Sequence, residues 1–152
     1  MPKYELEGTA GLSAKLKKLA SPKEQAATLK AAVREPMKDV MKKAKINLGR
    51  ISPGETPLHK TYRGRWVSSG FAQRSVRLIV KIDKALTSAT AILGVRKEAF
   101  YVLQFWELGT AYIKAIPWLQ PAFYQSANDS AKKVGEVMLE RIERIAKMRG
   151  GQ

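Results

Sequence analysis

Glu107-Leu108-Gly109-Thr110, followed by Ala115-Ile116-Pro117-Trp118-Leu119-Gln120-Pro121-Ala122-Phe123, is the stretch whose reading decides the fold of this chain. The aromatic-rich run before it, residues 97–108, reads as a short, mostly buried helix that stops at Gly109, a residue suited to the backbone conformations that end helices. An extended crossing with prolines at 117 and 121 follows. A long helix then begins around Pro121, because a proline in a first turn gives up only an N–H that would have no partner there. Glu107 lies near the C-terminal end of its helix, where the macrodipole disfavours an anion. A partly buried carboxylate in that place needs an arginine or several backbone N–H groups. Glu107 therefore reads as a structural anchor rather than a catalytic acid, and Gly109, Thr110, Pro117, Trp118 and Pro121 as residues that fix a chain path.

Helices and one hairpin extend outward from that junction. C-terminal to it, Phe123, Ala127, Ala131, Val134, Met138, Ile142 and Ile145 form the apolar stripe of a long closing helix that ends at Gly150-Gly151. N-terminal to it, Val76, Leu78, Val80 and Ile82 alternate with polar or outward positions, as in a half-buried strand. Asp83-Lys84 reads as a tight connection, and residues 86–95 as the hairpin partner. Near the start, Leu12, Leu16 and Leu19 share one face of a short amphipathic helix, and Tyr4-Glu5-Leu6 reads as an edge strand. Ser21-Pro22-Lys23-Glu24 spells a helix start in which Ser21 caps and Glu24 closes a capping box. Helical spacing continues through Leu29, Val33, Met37, Val40, Ala44 and Leu48. Pro36 predicts a kink or break within it. Residues 49–73 are turn-rich and read as the longest irregular segment. The architecture expected is α+β, a small antiparallel sheet packed with long N- and C-terminal helices in one domain over 1–152.

Composition removes several classes of function. The chain has 152 residues, 45% hydrophobic and 27% charged, in the range of a folded globular protein. It has no cysteine, which rules out disulfides, zinc–thiolate sites and thiol nucleophiles. The single histidine, His59, has no second histidine near it. No serine lies in an arrangement that would activate it, no glycine-rich loop is placed to cradle phosphate, and no acid pair stands out for general acid–base work. No enzymatic activity, cofactor or metal is expected. No apolar run reaches the length of a membrane span, and the polar start Met1-Pro2-Lys3-Tyr4-Glu5 is unlike a signal peptide. A cytoplasmic origin without membrane contact is the expectation.

The net charge of +15 points the other way, toward a polyanionic or acidic partner. It is spread as +7, +6 and +2 over residues 1–50, 51–100 and 101–152. No acid occurs between Pro57 and Ile82. Lys60, Arg63, Arg65, Arg74, Arg77 and Lys81 alternate there with Tyr62, Trp66 and Phe71. A basic loop with aromatics can track phosphates and stack on bases. The same residues are also compatible with aromatics that plug the core beneath solvated arginines.

The junction also resembles a known family. Glu107-Leu108-Gly109-Thr110, Ala115, Pro117-Trp118-Leu119 and Pro121-Ala122-Phe123 are similar to the "E-F-G-T … A-x-P-F-L-x-P-A" signature of small neck, tail-completion and minor tail proteins of long-tailed phages, a family related to the lambda tail protein Z. The match runs without a gap over 17 consecutive positions, with Leu108 and Trp118 in place of the usual aromatics. The order of the other elements agrees. The family's "P-x-x-T-G-x-L" loop is matched only loosely, through Pro53 and Tyr62-Arg63-Gly64-Arg65-Trp66, with extra residues inserted. The resemblance implies a structural virion protein, assembled in the host cytoplasm into a homohexameric ring at the head–tail junction. Such a ring would join the head connector to the tail, contact other neck, connector or tail proteins, and surround the phage DNA. Non-specific phosphate contacts would suffice for DNA in transit. The alternative is a free-standing nucleic-acid-binding accessory protein acting through the basic loop. A third reading, an enzyme site shared between subunits, would require Glu107, an arginine and a serine to cluster.

Overall fold

A computed structural model of the chain describes residues 10–19, 21–51, 59–60, 66–67, 70–86 and 88–150. The elements are, in order, α1 (Ala10–Leu19), α2 (Pro22–Ile51), β1 (His59–Lys60), β2 (Trp66–Val67), α3 (Phe71–Ser75), β3 (Val76–Ile82), β4 (Ala89–Val95), α4 (Lys97–Leu108), α5 (Gln120–Tyr124) and α6 (Ala127–Gly150). The class is α+β, with long helices toward both ends. β3 pairs with β4, and β1 with β2, as two separate two-stranded sheets. A connection as short as residues 83–88 obliges β3 and β4 to run antiparallel, since a parallel pair needs a long crossover. β1 and β2 are antiparallel as well, with His59 opposite Val67 and Lys60 opposite Trp66. The expected edge strand at residues 4–6 lies outside the described residues.

The chain divides into two compact units. One comprises Met1–Met37, Val80–Ile92 and Asn128–Gln152, the other Lys38–Ile79 and Leu93–Ala127. In the first unit the core is built from Leu16 of α1, Leu29 and Ala32 of α2, and Met138, Ile142 and Ile145 of α6. Leu12, Val134, Val137 and, from the hairpin, Ile82, Leu86 and Ala89 pack around them. These positions recur three or four residues apart on each helix, which is why one stripe of each faces inward. The start of α2 carries the capping box its sequence spells. The Ser21 N–H donates to Glu24 Oε2 at 2.7 Å and the Ser21 hydroxyl to the same oxygen at 2.7 Å. The Glu24 N–H donates to Ser21 Oγ at a longer 3.4 Å. Arg149, in the last turn of α6, adds an ion pair to Glu24 at 2.9 Å.

Several expectations need correcting. α2 is helical from Pro22 to Ile51, with Pro36 inside it, so there is no break. Pro36 is among the most deeply buried side chains, and burying its ring offsets the one hydrogen bond its missing N–H cannot make. The hairpin connection runs from Asp83 to Ser88 rather than over two residues. Asp83 N–H donates to Ser88 O at 3.0 Å and Leu86 N–H to Asp83 O at 2.9 Å. Leu86 takes a φ of 54° there, a left-handed conformation held because its side chain packs on the first unit's core. The closing helix comes in two pieces, with a turn at Gln125-Ser126 between α5 and α6. The segment 49–73 is shortened by α2, which extends to Ile51, and by α3, which starts at Phe71, and it contains the β1–β2 ribbon. α4 is not mostly buried: Ala99 and Leu103 are, while Phe100, Tyr101, Val102 and Leu108 are exposed.

Candidate functional site

The second unit contains the junction. Val40, Ala44 and Leu48, successive turns of one face of α2, are buried in it, as are Val76, Leu93, Ala99, Leu103, Trp118 and Ala122. Trp118 is tied to two helices. Its indole N–H donates to Leu103 O of α4 at 3.1 Å, and its carbonyl accepts from Asn47 Nδ2 of α2 at 3.0 Å. Lys43 Nζ reaches Gln125 O at 3.3 Å, and Gln73 Nε2 reaches Lys45 O at 3.1 Å. Trp118 thus gains both its apolar burial and a partner for its polar edge, the arrangement a buried indole requires.

Glu107 is at the centre of the clasp. Its Oε2 accepts the backbone N–H of Trp118 at 2.7 Å and of Leu119 at 2.9 Å, and its Oε1 accepts that of Gln120 at 2.9 Å. These donors open α5, whose own first residues offer no side-chain cap. Pro121 has no N–H to place. One carboxylate at the end of α4 therefore satisfies the start of α5, and its charge, unfavourable at the first helix end, sits favourably at the second. The partners of Glu107 are backbone N–H groups; its hydrogen bonds reach neither an arginine nor a serine.

The crossing between these helix ends is ordered by its own small residues. Gly109 N–H donates to Phe105 O at 2.7 Å, and Gly109 has φ 74° and ψ 179°, a region open essentially to glycine. A Cβ there would lie 2.8 Å from Ala115 N and 3.0 Å from Ile113 O. Thr110 Oγ1 accepts the N–H groups of Tyr112 at 3.2 Å and Ile113 at 3.0 Å, while Thr110 N–H donates to Ile113 O at 2.8 Å. The return limb is pinned where Ile116 N–H meets Trp106 O at 2.7 Å. Pro117, exposed, precedes Trp118, and Pro121 lies in the first turn of α5. All six junction residues thus belong to one local structure.

The basic residues are placed differently. Arg77 is exposed on β3 and Arg74 on α3. Lys60 is in β1, and Arg63 and Arg65 lie outside the described residues. Exposed charge also occurs on the second unit's part of α2, at Lys38, Lys42 and Arg50. Phe71 is half-buried. Among the described residues no group of three potential metal ligands occurs, and no helix is long and apolar enough to cross a membrane.

One feature of this unit escaped the sequence reading. Phe100, Tyr101 and Leu108 share an exposed face of α4 with Gln104, and the crossing adds Ile113, Ile116 and a Tyr112 that is 98% exposed. A signal for it was present: between Ala99 and Asn128 the only charged residues are Glu107 and Lys114, in a chain that is 27% charged.

No protein-family model matches the chain. No curated protein and no solved structure matches it either.

Proposed function

We propose that this chain is a structural protein that assembles into a ring at the head–tail junction of a long-tailed phage, joining connector to tail around the DNA channel. The observation that carries the reading is the coincidence of the signature with the clasp. Glu107, Gly109, Thr110, Trp118 and Pro121 are the residues of the phage-family spelling, and each has a role in holding the path from α4 to α5. A motif used to fix a chain path suits a scaffold. The carboxylate that would be the first candidate for acid–base chemistry has both oxygens engaged by N–H groups. The net charge of +15 supplies the second half of the reading, since a ring of such subunits offers many non-specific phosphate contacts to DNA. The exposed Arg77, together with Lys60, Arg63, Arg65 and Arg74, is the set through which such contacts would run.

Negative-stain images of the purified protein, and of particles assembled without it, test the proposal. Closed rings, and heads that fail to retain DNA or join tails, are the expected results. A monomer with salt-sensitive, submicromolar affinity for DNA or RNA would overturn the ring and favour the accessory-protein reading.

A further inference from the structure

The exposed face of α4 and the crossing that follows it have the composition of a protein interface. Interface cores are depleted in charge and enriched in aromatic side chains, and soluble monomers rarely leave more than a few hundred Å2 of contiguous apolar surface open. Here Tyr101 is 54% exposed, Phe100 53%, Leu108 70% and Tyr112 98%. The crossing is bound back to the end of α4 by the Gly109–Phe105 and Ile116–Trp106 hydrogen bonds, so these side chains belong to one side of one local structure. The backbone beneath them is fixed by Glu107 and Thr110. A surface held in place in this way is preorganised for docking.

We infer that this face is where a second copy of the same chain docks. The argument for that occupant is electrostatic. An acidic protein or a nucleic acid would be recruited by lysines and arginines, and the segment from Ala99 to Asn128 supplies one, Lys114. Two chains that each carry +15 repel wherever lysine would meet lysine. The neutral, aromatic face of the second unit is where two such chains meet without that repulsion. This deepens the ring reading and rests only on its assembly half.

Sedimentation velocity of the full chain, at low salt and at about 1 M salt where charges are screened beyond roughly 3 Å, tests the inference. The wild type is expected to self-associate, and more tightly at high salt, because screening removes the repulsion and leaves the apolar contact. Tyr112→Lys and Leu108→Lys should each raise the dissociation constant by at least about thirty-fold with an unchanged circular dichroism spectrum and melting temperature. Ile46→Lys and Met148→Lys, at exposed apolar residues elsewhere, should leave association as in the wild type. A wild type monomeric at both salts would overturn this inference and the ring together. Rings that survive both junction-side substitutions, or that are lost equally with the two controls, would overturn the inference alone. Association that depends on Tyr112 and Leu108 but never closes into rings would uphold it and overturn the ring.

Discussion

The two units of this chain use opposite resources to hold themselves together. In the first, apolar side chains are consumed by the fold: Leu16, Leu29, Ala32, Met138, Ile142 and Ile145 turn inward, and the outer faces carry pairs such as Arg144–Glu140, exposed and worth little. In the second, around the junction, it is the backbone's polar groups that are consumed. Glu107 takes three N–H groups, Thr110 two and Trp106 O one, while Phe100, Tyr101, Leu108 and Tyr112 remain outside. A unit that spends its apolar residues on its own core is finished as a folding problem. One that spends its polar groups to display apolar residues is built to meet something else.

The contrast can be broken by substitution, and the largest effect is expected at a residue with no side chain. Gly109→Ala forces a Cβ into a glycine-only conformation and against the backbone of Ala115 and Ile113. About 3–4 kcal/mol of destabilisation is expected, at the top of the range for strained backbone with a further displacement added. Denaturant unfolding measures it. A loss below about 1 kcal/mol would mean the crossing is loose and the clasp is not what holds the second unit.

The corresponding weak point of the first unit is a large side chain. Ile142→Ala removes buried methylene groups from between α6 and its neighbours and should cost about 3 kcal/mol. It should leave the amide exchange of residues 118–120 unchanged relative to global unfolding. Glu107→Gln is the converse test. An amide can present only one acceptor oxygen, so at least one of the three N–H groups loses its partner, at about 1–3 kcal/mol. The exchange of the Gln120 amide should accelerate most, since it alone uses Oε1. An unaltered melting temperature with unaltered exchange at 118–120 would remove Glu107 from its role as anchor.

Legibility in the sequence followed the range of the forces involved. The Ser21–Glu24 box, the alternation of Val76 to Ile82 and the α6 stripe through Met138, Ile142 and Ile145 are set within a few residues, and each is found where the pattern places it. The continuity of α2 through Pro36 was not legible, because it depends on burial that only the folded chain provides. The turn at Gln125-Ser126 was hidden too, since the apolar spacing runs through it unbroken. At the junction the sequence narrowed Glu107 to an arginine or backbone N–H groups. The choice between them lay 11 to 13 residues away, in the path of the crossing. The exposed aromatics of α4 were misjudged as core because a hydrophobic run alone does not tell a buried face from a docking face. The scarcity of charge from Ala99 to Asn128 does carry that information.

The smallest expected effect returns to the first unit and its one polar clasp. Ser21→Ala removes the hydroxyl that donates to Glu24 and should cost about 1 kcal/mol, the usual loss for a helix cap. The hydrogen bonds from the Ser21 side chain and backbone, with Arg149 beside them, hold the Glu24 carboxyl below the ordinary glutamate range. A group whose pKa is depressed by folding contributes stability that is present above its unfolded pKa and lost as pH falls through its folded one. The contribution of Glu24 is therefore complete at neutral pH and disappears on acidification below about pH 4. In Ser21→Ala the pKa of Glu24 should move back toward its unfolded value, because the largest cause of its depression is gone. The stability difference between wild type and variant should then shrink as the pH is lowered through that window. Parallel stability curves for the two proteins between neutral pH and about pH 3 would show that the carboxylate and the serine do not act together.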